Sequence, residues 1–154
     1  MIETTGYYAI LYKDPEDGTT NVEFPDHPNI VTYGLDRDHA VEMAEEALNA
    51  TLESEVERGL PLPAPSKKPR AGRGREVIFV PLHPEVRTAF LLRSWREQAG
   101  LSQRQVARRL GISTQAYQRM ERPGRSNLTV ATLDRIASAL GRRLVIDARP
   151  LTER

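Results

Sequence analysis

The sequence predicts two modules, an α+β N-terminal domain of three strands and one long helix, followed by an all-α domain with flanking short strands. Three observations carry that prediction. Residues 7–33 alternate in apolar character between turn-forming clusters, and residues 36–58 repeat apolar positions at steps of three and four. From Glu85 almost to Leu140 the pattern is helical, punctuated by Gly100, Gly111 and Gly141.

Tyr8, Ile10 and Tyr12 fall on one face of an extended run. Lys13-Asp14-Pro15-Glu16-Asp17-Gly18 supplies reversal chemistry, and Thr20, Val22 and Phe24 alternate again, so residues 7–24 read as a hairpin. Asp26-His27-Pro28-Asn29 is a second turn, and Ile30-Val31-Thr32-Tyr33 a third strand closed by Gly34. Asp36 is the expected N-cap of a helix to about Arg58, with Val41, Ala44, Leu48, Leu52 and Val56 as its apolar stripe and Gly59 as its stop. Three strands and one amphipathic helix bury the stripe against one sheet face.

Leu60-Pro61-Leu62-Pro63-Ala64-Pro65-Ser66 is held extended by its prolines, and Lys67 to Arg75 adds five basic residues and two glycines. Such a stretch buries little, which predicts a flexible basic linker at 66–75 between domains at 1–65 and 76–154. Short strands are expected at Val77–Val80 and again at Leu144-Val145-Ile146-Asp147, on either side of the helices.

The chain of 154 residues has no Cys, which excludes disulfides, thiolate catalysis and Cys-based zinc sites. It has no apolar run of membrane-spanning length and no signal-peptide layout at Met1-Ile2-Glu3-Thr4, so a soluble cytoplasmic protein is expected. The net charge of +1 conceals an asymmetry. Residues 1–65 carry three basic residues (Lys13, Arg37, Arg58) against fourteen acidic ones, while residues 66–154 carry nineteen against seven. Halves of about −11 and +12 point to oppositely charged partners.

The basic half contains a motif, Ser102 to Glu121. Ser102 and Gln105 have capping-box spacing, and Val106 and Leu110 face inward. Ala107 is small where a second helix must cross, Gly111 permits a left-handed turn, Ile112 plugs the core, and Ser113 caps the next helix. Tyr117 and Met120 point back inward. Two short helices joined through such a turn form a helix-turn-helix, whose second helix enters the major groove. Thr114, Gln115, Gln118, Arg119 and Arg122 are then left on its outer face, where Gln and Arg suit adenine and guanine edges. Gln103, Arg125, Ser126 and Asn127 are expected on phosphates. One such module reads only a few base pairs, so a homodimer or higher oligomer is expected with its interface on the C-terminal domain, where the strands at Val77–Val80 and Leu144–Ile146 pair either within one chain or across the dimer.

With a preceding helix containing Leu91, Leu92 and Trp95 and a following one from Thr129 to Leu140, residues 86–141 resemble the XRE (lambda-repressor-like) helix-turn-helix family. Ala107, Gly111 and Glu121 stand where that family shows alanine, glycine and glutamate. The N-terminal half resembles a HicB antitoxin domain through Tyr7-Tyr8-Ala9-Ile10, Val22-Glu23-Phe24-Pro25-Asp26-His27-Pro28, Asp38 to Leu48 and Pro61 to Ser66. That family often shows Pro-Gly-Cys where this chain has Pro28-Asn29-Ile30. The tail from Leu133 to Ile146 is similar to HicB proteins bearing this kind of DNA-binding domain. The resemblance implies a partial RNase H-like fold that sequesters a HicA-like toxin, a small basic mRNA-cleaving ribonuclease. It also implies repression of the protein's own operon by binding operator DNA.

No catalytic or metal site is expected. RNase H chemistry needs strand-borne carboxylates holding two metals, yet the first strand has no acid and the second only Glu23. His27, His39 and His83 are scattered without triad or metal-ligand spacing, and are expected in loops or on the surface. No cofactor is implied, and the residues that would contact a toxin are not legible. Two rival readings remain at this point: a free-standing regulator sensing a small molecule, tested by a ligand-induced thermal shift, and a nuclease with a degenerate site, tested by metal-dependent RNA cleavage.

Overall fold

Four strands, not three, build the sheet. The computed structural model describes residues 5–124, 127–148 and 150. Strands β1 (Gly6–Lys13), β2 (Thr20–Glu23) and β3 (Val31–Gly34) precede helix α1 (Arg37–Glu57), and β4 (Arg75–Pro81) follows it. The order is β3-β2-β1-β4, antiparallel throughout. β4 pairs with β1 along its whole length, from Gly6 opposite Pro81 to Tyr12 opposite Arg75. The apolar run at Val77–Val80 is therefore a strand of the first sheet rather than a flank of the C-terminal helices. The chain divides into two compact units between Arg87 and Thr88, inside helix α2 (Pro84–Gln98).

The inner sheet face is Tyr7, Ala9, Leu11, Val22 and Val80, all buried, and α1 lies on it. The buried stripe of α1 is Ala40, Ala44, Leu48, Asn49, Leu52 and Val56, with the expected Val41 displaced to its half-buried margin. Burying each large apolar side chain here stabilises the unit by roughly 2 kcal/mol. Asp36 caps α1 by accepting from the His39 N–H at 2.9 Å. At the other end Gly59 (φ 71°) allows Leu60 N–H to reach Glu55 O at 2.9 Å and Gly59 N–H to reach Val56 O at 3.1 Å, a Schellman stop. Gly34 is required by closeness rather than conformation, since a Cβ there would stand 2.1 Å from the backbone N of Ala40.

Two buried polar groups in this unit escape the sequence pattern. Asn49 donates to Glu45 O (2.9 Å) and Pro81 O (3.1 Å) and accepts from the His83 N–H (2.6 Å), tying α1 to the end of β4. His27 lies in the loop between β2 and β3, as expected, but is buried there, edge-on to Tyr7 with ring centroids 4.5 Å apart. His39 is half-buried in the first turn of α1, accepting from the Leu35 N–H, and His83 is exposed in the loop after β4, 3.3 Å from Glu45.

The stretch after α1 is not a linker between units. Tyr7 donates to Pro63 O at 2.9 Å, Leu62 packs against the core, and the Asp26 carboxylate holds both the N–H and the hydroxyl of Ser66. Residues 67–74 then loop back into β4, within the first unit.

The second unit contains the remainder of α2 with α3 (Gln103–Leu110), α4 (Thr114–Met120) and α5 (Val130–Ala139). Its core is Leu92, Val106, Ala107, Tyr117, Ile136 and Leu140, against which Trp95, Leu101, Leu110, Ile112 and Met120 pack. The strand expected at Leu144–Asp147 does not form: residues 142–148 have no regular structure, and Val145 and Ile146 are 77% and 69% exposed. β propensity alone does not make a strand without a neighbouring edge, and no sheet lies in this unit among the described residues.

Candidate nucleic-acid interface

Local chemistry fixes the two short helices. Ser102 accepts from the Gln105 N–H at 3.1 Å while Gln105 Oε1 accepts from the Ser102 N–H at 2.8 Å, a complete capping box. Gly111 adopts φ 69°, ψ 30°, ending α3 with its N–H directed to Ala107 O and Arg108 O. Ser113 caps α4 through the Ala116 N–H at 3.1 Å. Two arginines brace the arrangement by capping carbonyls: Arg109 donates to Ala139 O at 2.9 Å and Arg135 to Leu110 O at 3.3 Å.

Ala107 and Tyr117 are buried where α3 and α4 cross, which aims the opposite face of α4 at solvent. Gln115 and Arg119 are fully on that face, Thr114 and Gln118 are half-buried at its sides, and Arg122 is exposed just past the helix end. None of these five side chains forms a hydrogen bond or ion pair among the described residues. Uncommitted donors and acceptors on one short helix are what direct readout of base edges requires. Asn127 is likewise exposed and unpaired, while Arg125 and Ser126 lie outside the described residues.

Gln103 is placed differently from a free phosphate ligand. Its amide Nε2 donates to Glu121 Oε2 at 2.9 Å, leaving one N–H for an outside acceptor. Glu121 is 5% exposed and also receives a fork from Arg96, Nε to Oε1 at 2.6 Å and Nη2 to Oε2 at 3.1 Å. Arg96 Nη1 reaches Leu101 O at 3.0 Å. The Glu121 carboxylate holds the Arg96 proton more tightly than usual, against the opposing effect of burial. Burial first, then the neighbouring Glu121, pushes the Tyr117 phenol well above its ordinary value, and its hydroxyl finds no partner among the described residues. Helical periodicity alone does not bring Arg96, Gln103 and Glu121 together. The signal for the cluster is Arg96, four residues after Leu92 on the buried side of α2, where a cation needs a carboxylate.

The first unit presents a second kind of surface. The sheet face away from α1 carries Tyr8, Ile10, Tyr12, Val77, Phe79, Val31 and Tyr33, with Glu23, Asn21 and Arg75. Phe79 is 46%, Tyr33 58% and Val31 88% exposed. An antiparallel sheet with one solvated face ordinarily alternates to polar residues there, and this one does not. Beside that face a groove of about 500 Å³ is lined by residues including Tyr12, Glu23, Pro28, Ile30 and Val31.

No helix among the described residues is long and apolar enough to cross a membrane, and no group of three or more acidic or histidine side chains there could hold a metal ion.

Comparison with known proteins matches the two units to two different families. Residues 6–85 match the family described as HicB-like antitoxin of bacterial toxin–antitoxin systems, and residues 92–146 match a helix-turn-helix family. Antitoxin HicB 1 of Photorhabdus laumondii is 30% identical over 141 residues, covering 90% of this chain and 84% of the relative. Antitoxin HicB 2 of the same organism is also 30% identical over 141 residues, covering 92% of this chain and 95% of its own length. The helix-turn-helix unit is a DNA-binding one. The chain belongs to the HicB-like antitoxin family, in the form that carries a C-terminal helix-turn-helix domain.

Proposed function

We propose that the protein neutralises a small basic HicA-like ribonuclease in the cytoplasm and represses their shared operon by binding operator DNA. The observation that carries the DNA half is the uncommitted polar row of Gln115 and Arg119 on α4, with Thr114 and Gln118 at its sides and Arg122 just past its end. Gln115 and Arg119 read bases, while Asn127, Arg125, Ser126 and the remaining N–H of Gln103 serve phosphates. A homodimer presents two such helices to an inverted repeat. β4 pairs with β1 along one edge and is the outer strand of the sheet, so a dimer contact through Val77–Val80 would use its other edge.

The toxin half is supported by the outer sheet face. An apolar protein surface on an otherwise acidic unit fits a partner that is a protein and cationic, burying an apolar centre within an opposite-charge rim. Co-expression with the product of the adjacent short reading frame, followed by purification, tests the reading. A stable complex that protects RNA and binds the upstream duplex is expected; separate elution of the two proteins at low salt would defeat the toxin half.

A further inference from the structure

The loop at residues 67–74 carries more charge than its surroundings account for. Its ends are tied, on one side by Asp26 holding Ser66 (N–H to Oδ2, 2.9 Å) and on the other by Arg75, which donates to Gly72 O at 3.1 Å and opens β4. Between them Lys67, Lys68, Arg70 and Arg73 are exposed. None makes an ion pair or side-chain hydrogen bond among the described residues, although residues 1–65 of the same unit hold fourteen acids. The nearby cations behave otherwise: Arg37 forks onto Glu76, and Arg75 lies 3.5 Å from Glu23 and over the Tyr12 ring at 4.5 Å. Gly72 and Gly74 leave the backbone open, with nothing within 4 Å of where a Cβ would stand.

We propose that this loop is a second phosphate-binding surface, gripping the backbone of duplex DNA without reading its sequence. Four like charges within seven residues repel one another, and a polyanion relieves that repulsion. Duplex DNA carries about one negative charge per 1.7 Å, so several cations are satisfied at once. Because both ends of the loop are already anchored, ordering it on a ligand costs less than ordering a free linker would. The helix-turn-helix unit of the same chain brings duplex DNA to high local concentration around the loop. The inference rests on DNA binding by that unit and is independent of the toxin.

The test uses the full chain with K67A, K68A, R70A and R73A combined. Binding is measured by fluorescence anisotropy on the duplex preceding the protein's own gene and on a scrambled duplex of equal length, across a salt series. Affinity for both duplexes should fall in parallel, and the slope of log K against log salt should become shallower by about 3.6 units for each protomer bound. The charge-retaining set K67R, K68R, R70K and R73K should keep the original slope, which separates loss of charge from loss of fold. R119A should lose discrimination between the duplexes while keeping most of the slope, so failure of α4 as the reading helix is distinguishable from failure of the loop. An unchanged slope in the alanine set overturns the proposal. So does a defect confined to single-stranded RNA or to complex formation with a partner protein.

Discussion

Arg96 and Glu121, 25 residues apart, close a two-bond fork that joins α2 to the end of α4, with a carboxylate almost wholly withdrawn from water. The same carboxylate orients Gln103 at the start of α3, so one buried charge fixes three helices relative to one another. Removing one member strands the other's charge. Glu121→Ala is expected to destabilise the second unit by about 3 kcal/mol. Arg96→Met with Glu121→Met should recover most of that loss in stability but not in DNA affinity, because Gln103 is left unheld. Trp95, the chain's one tryptophan, packs on this core, so urea unfolding followed by its fluorescence reads the correct unit. A loss below about 1 kcal/mol for Glu121→Ala would show that water screens the pair.

Arg119→Ala and Gln115→Ala are each expected to cost about 1–3 kcal/mol on the operator if their contacts are bidentate. Operator titration against a scrambled duplex measures it. Unchanged preference in both variants would move the reading surface off α4.

The second unit was the more legible in the sequence, because each of its constraints is local. The capping box at Ser102, the turn at Gly111 and the cap at Ser113 each act within three or four residues, and all three stand as read. What failed needed partners far along the chain. Val77–Val80 looked like a flank of the helices because its mate, β1, lies about seventy residues away. The proline-rich stretch at 61–66 reads as unburied because its anchors are also remote, Tyr7 lying 56 residues from Pro63 and Asp26 40 residues from Ser66. Leu144–Ile146 failed the opposite way, with strand-like residues and no edge to join. On β1 the alternation places Tyr8, Ile10 and Tyr12 together, and they form the outer face, a choice that periodicity cannot make.

His27 makes the first unit sensitive to acid. Burial lowers its pKa beneath the ordinary 6.5, against the weaker opposing pull of Glu55 and Asp26. As pH falls the unfolded chain takes up this proton first. The contribution of His27 is therefore present above about pH 6.5 and is lost as pH falls through its lowered folded value. His27→Phe, which cannot titrate and can still stack on Tyr7, should remove that part of the pH dependence. Calorimetric melting of the two proteins between neutral and mildly acid pH decides it. Parallel curves would assign the dependence to other groups.

The boundary between units predicts which fragments fold. A chain ending at residue 65 lacks β4, and with it Val80 and Leu82 from the core and the carbonyl that holds Asn49. Such a fragment should show no cooperative melting, whereas residues 1–87 should melt as one unit by circular dichroism. Limited proteolysis gives a second reading. Cleavage at Lys67–Arg73 should leave a nicked first unit whose two pieces stay associated through the β1–β4 ladder. Separation of the pieces on size exclusion would show that the ladder contributes little.

The outer sheet face yields the prediction that bears on toxin neutralisation. Val31 and Tyr33 lie on β3, an edge strand, opposite Glu23 and Asn21 of β2, and both project away from α1. Neither contributes to the buried core, so Val31→Lys with Tyr33→Lys should leave thermal stability nearly unchanged. If a cationic toxin seats on this face, the added lysines oppose it twice, by removing apolar contact and by placing like charge against the partner. The double variant should lose the co-purifying toxin while retaining operator binding. Val31→Glu with Tyr33→Phe separates the two effects, since it keeps a ring and adds the favourable charge; it should retain the complex. A lysine variant that still holds its partner would place the toxin elsewhere, with the acidic side of α1, around Glu42, Glu45 and Glu53, as the next surface to substitute.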